Sequence, residues 1–250
     1  MEIGFAMCGS FCTFTDVFPV MEAVASKHRV TPIFSFASAT IDSRFGSAAG
    51  HLQQAEEICG RKPLQTIAEV EPIGPKKLLD ALIIAPCTGN TLAKLAHSIA
   101  DTPVTMAAKS HLRNGRPVIL AISTNDALAG AAENIGKLMG RKHYYFVPFR
   151  QDDPQKKPTS IVADFTKIPQ TLEEALAGQQ IQPLLLYLRK GGPQSALITI
   201  FYKVSTSSSQ IRPAASLGIC QSPRGLKLRG SAFAPSGIQL RLNCWVKNRQ

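Results

Sequence analysis

Apolar residues in this chain come in short unbroken runs, and a stretch with helical spacing follows most of them. Residues 3–7, 82–85, 118–122 and 144–147 are such runs, and 30–36 is a β-branched and aromatic one. The segments 16–25, 51–59, 91–100, 105–112 and 127–139 read as helices. Val17, Val20, Met21 and Val24, for example, are spaced to share one helix face. A strand that is apolar throughout belongs to a sheet covered on both sides. Strands alternating with helices predict parallel pairing, and right-handed crossovers wind the helices onto both faces. The predicted class is therefore α/β, a three-layer doubly wound parallel sheet. Residues 171–178 read as one more helix, capped by Thr171 with Glu174 three positions on. Residues 151–158 (QDDPQKKP) read as a polar surface loop.

The rhythm stops after Leu186. The net charge of +11 points first to nucleic acid, but its distribution does not. Residues 187–250 hold 10 of the 28 Lys/Arg and none of the 17 Asp/Glu, so 1–186 is nearly neutral. The predicted division is a domain over 1–186 and a basic, irregular, poorly ordered extension over 187–250, with 196–204 as one strand in it. The extension lacks the residue pattern of a nucleic-acid module, and no nucleic-acid partner is expected. No apolar run approaches membrane-spanning length and no secretory leader pattern opens the chain, so a cytoplasmic location is expected.

The six cysteines form no CxxC pair and no zinc-ligand spacing with histidine, so no metal site is expected.

In an open α/β sheet, ligands bind beyond the carboxyl ends of the strands. Three strand exits here share one chemistry: Cys8-Gly9-Ser10, Pro86-Cys87-Thr88-Gly89-Asn90-Thr91 and Ser123-Thr124-Asn125-Asp126. Each offers small hydroxyl or amide side chains and precedes a helix, whose N–H groups attract phosphate. Gly9 lets the backbone approach an anion, and Ser10 and Thr88 can donate hydroxyls. Such residues are also ordinary helix N-caps, so convergence of three loops on one edge is the stronger signal. There is no GxGxxG, and Gly4-x4-Gly9-Ser10 lacks a P-loop lysine. FMN or a small anion suits these loops better than ATP or NAD.

Residues 86–94 (PCTGNTLAK), then Ile99-Ala100-Asp101, resemble the flavoprotein superfamily of cysteine decarboxylases. A closer resemblance, covering about 1–186, is to the family of dipicolinate synthase B subunits. It rests on Gly9-Ser10-Phe11-Cys12-Thr13, Arg44-Phe45-Gly46, Met106-Ala107-Ala108-Lys109, residues 122–128 (ISTNDAL) and residues 148–154 (PFRQDDP). The resemblance implies a flavodoxin-like fold and a homo-oligomer. It also implies a dehydrogenase-like A subunit, with NAD(P) bound there. Together the two subunits would convert a dihydrodipicolinate-type dicarboxylate to dipicolinate in the mother cell of an endospore former. By position, Gly9 and Ser10 would hold the flavin phosphate, with Thr40 nearby. Pro86, Thr88, Gly89, Asn90, Thr91, Ser123 and Thr124 would line the rest of the FMN site. Asn90 and Asn125 would orient the substrate carboxylates or the flavin ring. Residues 71–74 (EPIG) carry proline where the decarboxylases place a catalytic histidine. A non-catalytic partner of the A subunit, or another FMN-binding member of the superfamily, are the alternatives.

Overall fold

The computed structural model describes residues 1–187 in full and, beyond them, the backbone of three strands. By its internal contacts the chain divides into Met1–Gly191 and Gly192–Gln250.

In the first unit, strand β1 (Glu2–Met7) leads through a 3-10 turn (Phe11–Thr13) into helix α1 (Phe14–Ala25). Strand β2 (Arg29–Phe34) and helices α2 (Phe36–Thr40), α3 (Ala48–Cys59) and α4 (Ile67–Val70) follow. Next come β3 (Ala81–Cys87), α5 (Gly89–Ala96), α6 (Pro103–Leu112), β4 (Val118–Thr124), α7 (Ala132–Met139) and β5 (Tyr144–Phe146). Strands β6 (Phe149–Asp153) and β7 (Lys157–Ala163) and helix α8 (Ile168–Leu176) complete it.

The five strands predicted from their apolar runs pair in parallel in the order β2-β1-β3-β4-β5. That order is flavodoxin-like, with the topological switch between β1 and β3. Every residue of β3 is buried, as the middle strand of such a sheet requires. Helices α1 and α8 pack together against β3, with α3 beside α1. Helix α6 also packs on β3 and joins α4 and α5, while α5 meets α7. The two groups cover opposite faces, and Phe5, Ile83, Leu120, Met21 and Val104 are fully enclosed between the layers.

The sheet is mixed, because β4 is longer than its apolar run. Ser123 and Thr124, at its carboxyl end, pair antiparallel with Val162 and Ile161 of β7. Strand β7 in turn pairs antiparallel with β6. Residues 151–158, predicted as a loop, thus belong mostly to a hairpin that turns at 154–156. The predicted cap at Thr171 is also corrected. Thr171 is buried inside α8 and its hydroxyl donates to Lys167 O, while Pro169 sits in the first turn, where proline is tolerated. Helix α7 starts later than predicted, because Asp126 O accepts from Ala129 N and Ala131 N in a preceding turn.

In the second unit, β8 (Leu217–Ser222), β9 (Gly225–Phe233) and β10 (Gln239–Trp245) form an antiparallel sheet in the order β10-β9-β8. Leu226, Leu228, Leu240 and Leu242 alternate with polar or basic neighbours, the period-two pattern of a strand. The strand predicted at 196–204 and the predicted disorder of 188–216 lie outside the described residues.

Candidate functional site

Strand β1 ends at Met7, and Cys8, Gly9 and Ser10 carry the chain over the sheet edge. Ser10 stands at the N-cap of the 3-10 turn but makes no side-chain cap bond. Its hydroxyl instead shares a 2.8 Å hydrogen bond with the hydroxyl of Ser123, which leaves β4. Two of the three predicted loops are therefore tied together directly.

The third loop joins at the switch point. Thr88 caps α5, its hydroxyl accepting from Thr91 N at 3.3 Å and sharing 3.1 Å with the Thr91 hydroxyl. Thr91, itself buried, donates to Cys8 Sγ at 3.3 Å, so the α5 start is pinned to the end of β1. Gly89 packs on the β4 exit. A Cβ there would lie 2.8 Å from both Thr124 Oγ1 and Asp126 Oδ1. Thr124 donates to that carboxylate in turn.

A cavity of about 710 Å3 opens between the start of α1, the end of β4 and the β6–β7 hairpin. This volume is in the range of small-molecule and cofactor sites. Ser10, Ser123, Thr124 and Asn125 line it, so four of the predicted residues share one space. Pro86, Thr88, Gly89 and Thr91 form the neighbouring cap cluster and do not line it. Asn90 is exposed on the first turn of α5, and its side chain makes no hydrogen bond among the described residues. Asn125 turns toward the hairpin, where its Oδ1 accepts from the Ser160 hydroxyl at 3.3 Å and its carbonyl from Thr159 at 2.6 Å. Thr40 stands apart from both groups. It is exposed at the end of α2 and donates to Phe36 O within its own helix.

Sequence reasoning missed two parts of this edge. Arg150 and Lys157 reach the cavity from the hairpin, paired with Asp164 at 3.8 Å and Asp152 at 2.7 Å. Reading 151–158 as a loop hid Lys157, and Arg150 lies just before that segment. Ser38, fully buried, donates to Met7 O at 2.8 Å and fixes α2 against the end of β1. The Ser35–Ser38 spacing of an N-cap was the available signal, since Ser35 caps α2.

The buried thiols at this edge, Cys8 and Cys87, are not poised for nucleophilic chemistry. Burial pushes Cys8 up to about 11 and holds Cys87 well above its ordinary value. Both are neutral at physiological pH, and none of the three loops contains a histidine. What the edge offers is hydroxyl donors, helix N–H groups and close backbone approach. Those groups suit a phosphate or carboxylate and an oriented ring, and they fit FMN.

Comparison with known proteins agrees with this fold. Residues 1–161 match the Flavoprotein family. The chain is 46% identical, over 186 residues, to the dipicolinate synthase B subunit of Bacillus subtilis (strain 168), covering 74% of this chain and 93% of that protein. It superposes on the crystal structure of the dipicolinate synthase B subunit from Bacillus halodurans C with a TM-score of 0.69 and 43% identity, over 74% and 96% of the two chains. At 17% identity, Burkholderia xenovorans DmrB in complex with FMN shares the fold, with a TM-score of 0.53 over 70% of this chain and 95% of that one.

Proposed function

Because the chain belongs to the flavoprotein family, we propose that it is the B subunit of a dipicolinate synthase. The observation that carries this reading is 46% identity sustained over 93% of the Bacillus subtilis protein. In this role it works with a dehydrogenase-like A subunit in the mother cell of an endospore former. The pair converts a dihydrodipicolinate-type dicarboxylate to dipicolinate. Aromatisation takes a hydride equivalent and a proton from the ring. FMN, when bound, supplies a two-electron acceptor, and a nicotinamide on the partner is the other. The chain itself forms a homo-oligomer.

The chain's own residues then bind and orient. Gly9 and Ser10 hold the flavin phosphate. A Cβ at Gly9 would meet Ala37 and Phe11 only at ordinary contact distances, 3.4 and 3.7 Å, and its φ is not positive. No packing demand calls for glycine there, which supports close approach of a ligand. Ser123 positions Ser10 through their shared hydrogen bond. Thr88 and Thr91 hold the α5 start in place, and Asn90, exposed beside them, is free to meet the ring or a carboxylate. Ser160 fixes the Asn125 amide, leaving its NH2 group to face substrate.

The test is reconstitution. The chain is combined with a dehydrogenase-like A subunit, a dihydrodipicolinate-type substrate and NAD(P), and dipicolinate is followed by its absorbance. Full dipicolinate formation should require both proteins, and Ser10→Ala should slow it. Equal rates from the dehydrogenase-like partner on its own would contradict the proposal.

A second reading makes the domain a non-catalytic binding partner of the A subunit. It rests on Pro72, which lies in a 3-10 turn (Glu71–Ile73) where the decarboxylases place a histidine. Failure to bind FMN or the dicarboxylate, with the dehydrogenase-like partner still stabilised, would favour it.

A further inference from the structure

A second cavity, of about 470 Å3, opens at the amino ends of β4 and β5. It lies at the other end of the sheet from Ser10. Strand β4 spans seven residues, so the two sites are roughly 20 Å apart at about 3.3 Å per residue. Leu95, Ile99, Leu112 and Tyr144 give the cavity apolar walls. Lys109, Arg113 and Lys142 are exposed around it, and among the described residues no carboxylate lines it.

One further cation is already committed. Arg141 donates to Leu95 O at 3.1 Å and to Ala96 O at 2.6 Å, closing the end of α5. Basic residues near the end of α6 would also be explained as partners of its dipole. Dipole compensation does not explain the rest of the cavity. Tyr144 is half-buried in its wall, and its hydroxyl makes no hydrogen bond to the described residues, so it can turn to a ligand. Burial pushes this phenol up to about 12, so it remains a neutral donor. Among the described residues, two of the three non-glycine positions with left-handed φ also line the cavity, Ser98 at 60° and His143 at 68°. Such strained positions cluster at ligand sites.

We propose that this cavity binds a planar aromatic anion of about mononucleotide size. The ring lies among Leu95, Leu112 and Tyr144, and the negative groups meet Lys109, Arg113 and Lys142. Apolar walls with a few converging charges are the usual make-up of a small-molecule site. An aromatic carboxylate and a nucleotide share this chemistry, and the probes separate them.

Calorimetric titration of the full chain at low salt tests the proposal, with AMP, pyridine-2,6-dicarboxylate and inorganic phosphate as separate probes. One of the two aromatic anions should bind saturably, at one per chain, and at least tenfold more tightly than phosphate. Which one binds identifies the source. The double substitution Arg113→Glu and Lys142→Glu should weaken it at least tenfold with an unchanged circular dichroism spectrum, since both side chains are exposed. Binding by neither aromatic anion would overturn the proposal. So would phosphate binding as tightly, or affinity unchanged by charge reversal. Binding that falls with Ser10→Ala but not with charge reversal belongs to the strand-end loops and would overturn it too.

Discussion

Ser10 and Ser123, 113 positions apart in the chain, share a 2.8 Å hydrogen bond where β1 and β4 leave the sheet. That bond couples the loop assigned to the phosphate with the loop that carries Asn125. A neutral hydrogen bond of this kind contributes about 1 kcal/mol. Ser10→Ala and Ser123→Ala should each lower unfolding stability by about that amount. The double variant should lose less than the sum, because both single changes remove one shared bond. Urea unfolding of the three variants checks this.

Gly89 and Gly136 should respond to alanine with opposite signs. A Cβ at Gly89 would lie 2.8 Å from Thr124 Oγ1 and Asp126 Oδ1, forcing the β3 and β4 exits apart. Overpacking costs about 1–3 kcal/mol, which exceeds the gain in helix propensity at a first-turn position. At Gly136, inside α7, no atom of the described residues lies within 4 Å of the added Cβ. Gly136→Ala should therefore stabilise by about 0.5–1 kcal/mol. Thermal unfolding of both variants checks the signs.

Buried His111 sets a pH dependence. Desolvation lowers its pKa from 6.5 to about 4, against a hydrogen bond from its Nε2–H to Pro117 O at 3.1 Å. The folded value lies below the unfolded one, so between them the unfolded chain binds more protons. This contribution to stability is complete above pH 6.5 and declines as pH falls toward 4. The slope is at most about 1.4 kcal/mol per pH unit. His111→Gln should flatten that part of the stability profile, measured by denaturant midpoints across the pH range.

Thiol reactivity should separate the cysteines of the first unit. Cys12 is exposed, whereas Cys8 and Cys87 are enclosed and have raised pKa values. The thiolate is the reacting form. Iodoacetamide at mildly alkaline pH should label Cys12 first, with Cys8 and Cys87 labelled only on unfolding. Peptide mass mapping reads the order.

The parallel core was legible because β1, β3 and β4 each contain an unbroken apolar run, and strands buried on both faces read that way. The β6–β7 hairpin was not, since Asp152, Lys156 and Lys157 are exposed and Pro154 marks its turn. Its polar sequence is what an exposed ribbon and a surface loop have in common. The loops of the candidate site were legible as helix-capping clusters at strand ends. Their pairing was legible only as convergence on one edge, because no local pattern records a bond across 113 positions. Thr40 marks the opposite case, placed by resemblance yet found bonding within its own helix.

Whether the strand-end loops hold FMN through Ser10 is tested most directly by titrating the purified chain with FMN. Quenching of flavin fluorescence reports binding, in the native sequence and in Ser10→Ala. A hydrogen bond to a charged group contributes about 1.5–3 kcal/mol. Saturable binding to the native chain is expected, with an affinity at least tenfold weaker in the variant. A native chain that never quenches FMN, or a variant that binds it equally well, would contradict the assignment of Ser10 to the flavin phosphate.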